Sequence, residues 1–455
     1  MTLTPGAVSR IQSTSRADVE STVADLRRYF SRSQWLADNN RYARDTVGKV
    51  REDFHSTGTF TTRKQQNLSH YIAASGTIHC IDGWGFLGTS LSALLRGDSY
   101  TAVHMAYYAE LRAAMSGLAS DGICVLNKQH ASITRPNIAE KLPGSTATHE
   151  FAWLALQEWA GKPSVANLMA ETITPFLIPL REWFASLPGN YKLQPVARKW
   201  VRKWGLDLRR MADNSRGDRQ ARNDVSYRPT MLLGQTPVDA GSAVRFVRAL
   251  WRYCEPVGSS KFERLDRLLL RATVRAVFEG RSGNTASSAN AEFRAFVDQL
   301  VDAQNFPSAR GVSEAKDFLK SDPQSEPENI LHIAALPITN HPHSHLGVIA
   351  RAFLLLRIST GIIDYTLGQA GVSNSELSFW KDSLNTGRGI SPDGAIPDPA
   401  TDLWTDIAEA LADIESFPTD AANDATYAKL RAEYERPIVQ LTGLEAIPMW
   451  AIGSV

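Results

Sequence analysis

Along this chain, apolar residues recur at three- and four-residue spacing, while the strict alternation of a half-buried strand is scarce. The pattern predicts amphipathic helices over 16–31 and 33–54, then 62–75 and 78–95 with a break near Gly76. Asp98 and Ser99 offer N-caps for a helix over 101–120, and Gly122 offers a left-handed stop. In that helix His104, Tyr108, Leu111, Met115 and Leu118 share one face, and the other faces are rich in alanine. Such a helix is packed on most sides. Further helices are predicted over 149–160, 164–186 with kinks at Pro175 and Pro179, and 196–212.

The second half continues in the same style. Helices are predicted over 241–254, 261–279, 289–304, 311–320, 346–368, 374–384, 402–415 and 424–435. The stretches 214–220, 279–290, 321–329 and 386–399 are rich in Gly, Pro, Ser and Asp and read as loops. No repeat period emerges, so a solenoid is not supported. The fold class is all-α, a multi-helix bundle. The best single cut falls near 230–240, dividing the chain into residues 1–235 and 236–455.

Composition narrows the class. The chain has 455 residues, 43% hydrophobic and 21% charged, as expected for a globular protein with a sizeable core. Its net charge of +1 means that any affinity for nucleic acid must come from a local patch. Cys80, Cys124 and Cys254 form no CxxC pair, which argues against a disulfide framework and a cysteine zinc site. A reducing cytoplasm is expected. No apolar signal-peptide core is visible in MTLTPGAVSRIQ. The most apolar stretch, 346–368, carries Arg351, Arg357 and Asp364 and reads as a buried core helix, so no membrane role is expected.

The most distinctive local feature lies between 198 and 228. Ten Lys or Arg stand there against four Asp, an excess of six charges in a nearly neutral chain. Ala197, Trp200, Val201, Trp204, Leu208 and Met211 repeat at helical spacing and should face the core. Arg198, Lys199, Arg202, Lys203, Arg209 and Arg210, with Arg228 further on, are left as a candidate phosphate-binding set. The alternative is a solvated helix whose arginine stems cover apolar surface.

Arg222-Asn223-Asp224-Val225-Ser226-Tyr227 follows directly. This stretch resembles the HEPN superfamily, all-helical proteins of bacterial toxins and phage-defence systems, many of them metal-independent ribonucleases. Their motif is Arg, a polar residue (often Asn), three more residues, then His. Arg222 and Asn223 match its first two positions, and Tyr227 stands where the His belongs. The helix AYYAELRAAMSGLAS, 106–120, has the look of long helices in such proteins. The resemblance spans residues 60–230. It implies a HEPN-like N-terminal half beside a second helical domain, an RNA or other nucleic-acid partner, no cofactor, and a site built across a homodimer. Arg222, Asn223 and Tyr227 would be its catalytic positions. Tyrosine, with an ordinary pKa near 10, is a poor base beside the histidine it replaces. The alternatives are a helix end capped by Arg222 and Asn223 with Tyr227 packed below, and a non-catalytic scaffold with a protein partner.

Other clusters carry less. His341, His343 and His345 alternate, so extended backbone would set them on one side as zinc ligands. No nearby Cys or Glu completes a set, and a polar helix-entry loop is the alternative. Glu110 and Arg112 point to nearly opposite faces of one helix, so each needs a partner on another helix. His79 and Cys80 are adjacent and point apart. GxxxxGK[ST], GxGxxG, HExxH and GxSxG are absent.

Overall fold

The computed structural model describes residues 2–55, 60–187, 194–204, 218–227, 238–323, 329–336, 344–391, 394–418 and 425–453. The fold is all-α with one small sheet. The first helices are α1 (Pro5–Ser13), α2 (Arg16–Phe30), α3 (Thr46–His55), α4 (Thr62–Leu95) and α5 (Ser99–Ala119). A three-stranded sheet follows: β1 (Ile123–Cys124), β2 (Ala131–Arg135) and β3 (Ile138–Lys141). Next come α6 (Thr148–Ala160), α7 (Pro163–Thr172), α8 (Leu180–Trp183), α9 (Gln194–Trp204) and α10 (Asp218–Tyr227). Beyond these lie α11 (Ala240–Arg252), α12 (Glu263–Ser282), α13 (Ala291–Asp302), α14 (Ala309–Lys320), α15 (Ile330–Ala335) and α16 (Ser344–Gln369). The chain closes with α17 (Ser378–Arg388), α18 (Leu403–Asp413), α19 (Tyr427–Glu433), α20 (Glu435–Thr442) and α21 (Ala446–Ala451).

The long helices α4, α5 and α16 form the centre, each packed on the other two. Because α16 comes from the second half, the apolar core is shared across residue 235. By length and composition, His345–Gln369 would cross a bilayer, yet 94% of its most apolar window is buried in the protein. Its arginines are neutralised in place. Arg357 pairs with Asp266 of α12 at 2.7 Å and donates to the Thr172 carbonyl at 2.8 Å. Arg351 pairs with Asp218 of α10. Asp364 accepts from the Gly453 amide at 2.7 Å.

Three expectations are corrected. Gly76 does not break a helix, because α4 runs unbroken for 34 residues. A Cβ at Gly76 would come within 3.3 Å of Ile363 and 3.5 Å of the Ser120 hydroxyl, so glycine there permits close helix packing. The carbonyl of Gly76 also accepts from the Ser116 hydroxyl of α5. Residues 33–45 are not helical: Ser33 takes a left-handed φ of 59°, and the Asn40 side chain accepts from the Tyr42 amide. Local side-chain bonds of this kind compete with helix. The helix expected over 164–186 ends at Thr172, and Phe176 and Leu177 both take positive φ. The Asp266 and Glu263 carboxylates take the amides of Thr174 and Phe176 there.

The sheet is antiparallel in the order β1-β2-β3, with Ile123 opposite Ser132 and Ala131 opposite Lys141. Its strands are too short to show alternation in the sequence. The caps are as read from the sequence: the Asp98 carboxylate accepts from the Thr101 amide, and Gly122 has φ 86°.

Candidate functional site

α10 carries the motif that resembles HEPN proteins and packs against α5. Its N-terminus is held by Asp218, whose two oxygens accept from Arg351 Nε and Nη2, both at 2.7 Å. Arg351 also donates to the Ala334 and Leu336 carbonyls, and Glu110 of α5 lies 3.8 Å from its Nε. Bidentate pairing of this kind fixes orientation as well as position.

One turn further on, Arg222 is only 8% exposed. Its guanidinium lies 5.1 Å from the ring centre of Tyr107 and 5.9 Å from that of Tyr108. Its Nε is buried with no hydrogen-bond partner among the described residues. Asn223 is half-buried and Tyr227 is 80% exposed. Five residues along an α-helix is about 140° of rotation beyond a full turn, so Arg222 and Tyr227 point apart. The three motif positions therefore do not converge on one pocket.

A different set of side chains does meet Arg222. The hydroxyl of Ser226, one turn on, donates to the Arg222 carbonyl at 2.8 Å and lies 3.0 Å from His104 Nδ1. With that hydroxyl proton engaged, Nδ1 of His104 is the donor of the pair. Burial, then the charge of Arg222, pulls the His104 imidazole below its ordinary pKa, which keeps it neutral near pH 7. His104 packs on Tyr108 with ring centres 5.1 Å apart. The hydroxyl of Tyr107 lies 2.8 Å from Nδ1 of His149, at the start of α6.

The half-exposed edge of α5 continues past Tyr108. Phe86 of α4 lies 5.7 Å from Tyr108, and the Arg112 guanidinium lies 5.9 Å from Phe86. Arg112 donates to His79 Nδ1 at 2.7 Å and lies 3.7 Å from Asp82. Burial and the charge of Arg112 pull His79 down to about 3. Both charged residues of α5 thus find partners on other helices, Glu110 on α16 and Arg112 on α4, as their spacing requires. Together His104, Tyr108, Phe86 and Arg112 make a strip of rings between two guanidinium groups. Chemically it offers ring faces, one neutral imidazole and cationic ends.

α9 carries the basic set. Val196, Ala197 and Trp200 are buried, and Arg198 and Lys199 are exposed. Arg198 donates to the Gly161 carbonyl at the end of α6 at 3.2 Å. Arg202 and Lys203 continue the helix in its backbone, and their side chains lie outside the described residues, as do Arg209, Arg210 and Arg228. His341 and His343 also lie outside them. His345 is buried in the first turn of α16 beside Tyr100, and burial pulls it down to about 4. Among the described residues no group of His, Cys, Asp or Glu has the arrangement to hold a metal ion.

Sequence reasoning saw His104 and Tyr108 only as one face of a helix. It missed Ser226, His149 and Phe86, because the His104–Ser226 contact joins residues 122 apart in the chain. Comparison with family models, curated proteins and solved structures gave no match to this chain.

Proposed function

We propose that this chain is a cytoplasmic nucleic-acid-binding protein, an RNA-binding effector or accessory protein of HEPN-like kind in bacterial defence, acting by binding rather than cleavage. The observation that carries the binding role is the amphipathic α9, with Ala197 and Trp200 buried while Arg198 and Lys199 face solvent. Cationic side chains on an outer face displace condensed counterions from phosphates. Half-exposed rings such as Tyr108 are the second ingredient, since bases stack on them without regard to sequence. The basic face meets the C-terminal end of α6, and Tyr107 meets its N-terminal end, about 20 Å away. The defence role rests on the motif resemblance alone. Three free, buried cysteines suit a reducing cytoplasm.

The absence of cleavage is argued from Arg222 and Tyr227. The first is engaged under two tyrosine rings, and the second points away from it. The test is fluorescence anisotropy with a labelled single-stranded RNA at low and high salt. Micromolar or tighter binding is expected at low salt and should weaken as salt rises. Arg198→Glu with Lys199→Glu should cost at least tenfold, and the RNA should stay intact on a gel. No binding at low salt overturns the reading.

A second reading is a non-catalytic helical scaffold or partner subunit, in hetero- or homodimeric form. Tyr227 favours it, because a large aromatic side chain 80% exposed at a helix end suits a protein contact. A pull-down returning nucleic acid and no protein counts against it.

A further inference from the structure

A cleft of about 290 Å³ opens between the end of α17, α18 and the α20–α21 turn, and it shares no lining residue with the strip described above. Leu403 and Ile407 of α18 give it an apolar wall, and Val439 of α20 stands at its exposed edge. Three charged side chains line it: Glu445, Asp406 and Arg388. Glu445 and Asp406 are half-buried, and Arg388 is exposed.

Glu445 is the unusual member. Its carboxylate lies against α4, where a Cβ on Gly85 or Gly88 would come within 3.4 or 3.1 Å of its oxygens. Two glycines one turn apart therefore leave room for it. Among the described residues the carboxylate accepts no hydrogen bond from another residue and makes no ion pair. Burial pushes it above the usual carboxylate range, against the opposing pull of its own amide and of Arg388. A partly buried carboxylate that Arg388 acts on by charge without touching favours a cation that arrives with its own donors.

We propose that this cleft binds a small organic cation, a primary amine or guanidine with a short apolar stem, held by Glu445 and Asp406 and lying along Leu403 and Ile407. Two carboxylates are too few to complete the oxygen shell of a calcium ion, and the cleft volume and apolar wall suit a molecule rather than an ion. Arg388, also in the lining, suits a ligand that carries a carboxylate at its far end.

Isothermal titration calorimetry of the full chain at pH 7.5 tests this, with agmatine as a cation alone, L-arginine as a cation with a carboxylate, and hexanoate as a control. One-to-one binding of agmatine or L-arginine, with no heat from hexanoate, is expected. Glu445→Gln should weaken it at least tenfold and Asp406→Asn more mildly, with helical circular dichroism retained. Absence of binding by both cations at millimolar concentration overturns the proposal, as does equal binding by folded Glu445→Gln. Should Glu445→Gln fail to fold, Asp406→Asn and the wild-type titrations decide.

Discussion

Arg351 and Asp218 are 133 residues apart in the chain and meet through two hydrogen bonds of 2.7 Å, with both side chains almost wholly excluded from water. The pair ties α10 to the central helix α16. Removing one partner strands a buried charge, a change that typically costs about 3–5 kcal/mol. Asp218→Asn should therefore destabilise the protein by about 3 kcal/mol in urea denaturation, with Glu110 supplying partial relief to Arg351. A loss under about 1 kcal/mol would show that the pair does not anchor α10.

Arg222 and Tyr227 should respond in opposite ways. Arg222 is buried over Tyr107 and Tyr108, so Arg222→Ala loses both stem packing and ring contacts, about 1–3 kcal/mol. Tyr227→Ala, at an open position, should change stability by less than about 0.5 kcal/mol. Thermal melts of the two variants side by side check this. A silent Arg222→Ala would contradict its structural role.

Acid should weaken the fold through buried histidines. His79 is held at about 3, and His130 and His345 at about 4, below the ordinary 6.5. Below pH 6.5 the unfolded chain takes up protons at these rings and the native chain does not. Their contribution is complete above pH 6.5 and is lost as pH falls towards 4. His130 stacks on Phe151 with ring centres 3.6 Å apart, accepts from the Leu126 amide and donates to the Thr146 carbonyl. In His130→Gln the pH dependence of the unfolding free energy from urea denaturation between pH 6.5 and 4 should flatten by about 1.4 kcal/mol per pH unit, one proton's worth. An unchanged slope would mean that His130 titrates normally in the native state.

Two glycines separate packing from propensity. A Cβ on Gly88 would stand 2.5 Å from the Thr442 carbonyl, a backbone atom that cannot turn aside. Gly88→Ala should cost about 1–3 kcal/mol by overpacking. Gly280, inside α12, has nothing within 4 Å of the same position. Gly280→Ala should stabilise by about 0.5–1 kcal/mol through helix propensity. Chemical denaturation of both variants decides; equal signs would undo the argument.

The sequence by itself determined the all-α class, the cap at Asp98, the stop at Gly122 and the burial of the apolar stretch that became α16. These rest on spacing and backbone preference, which act within one or two turns. It also required Glu110 and Arg112 to look to other helices, because two residues apart on a helix they face away from each other. Only the tertiary structure decided which helices those are. It carried α4 straight through Gly76, since that glycine is used for close packing rather than for a bend. It also divided the motif at 222–227, turning Arg222 inward onto two tyrosines and leaving Tyr227 in water. Burial and charge pairing depend on distance through space, so residues more than a hundred positions apart set the environment of a motif whose letters stand together.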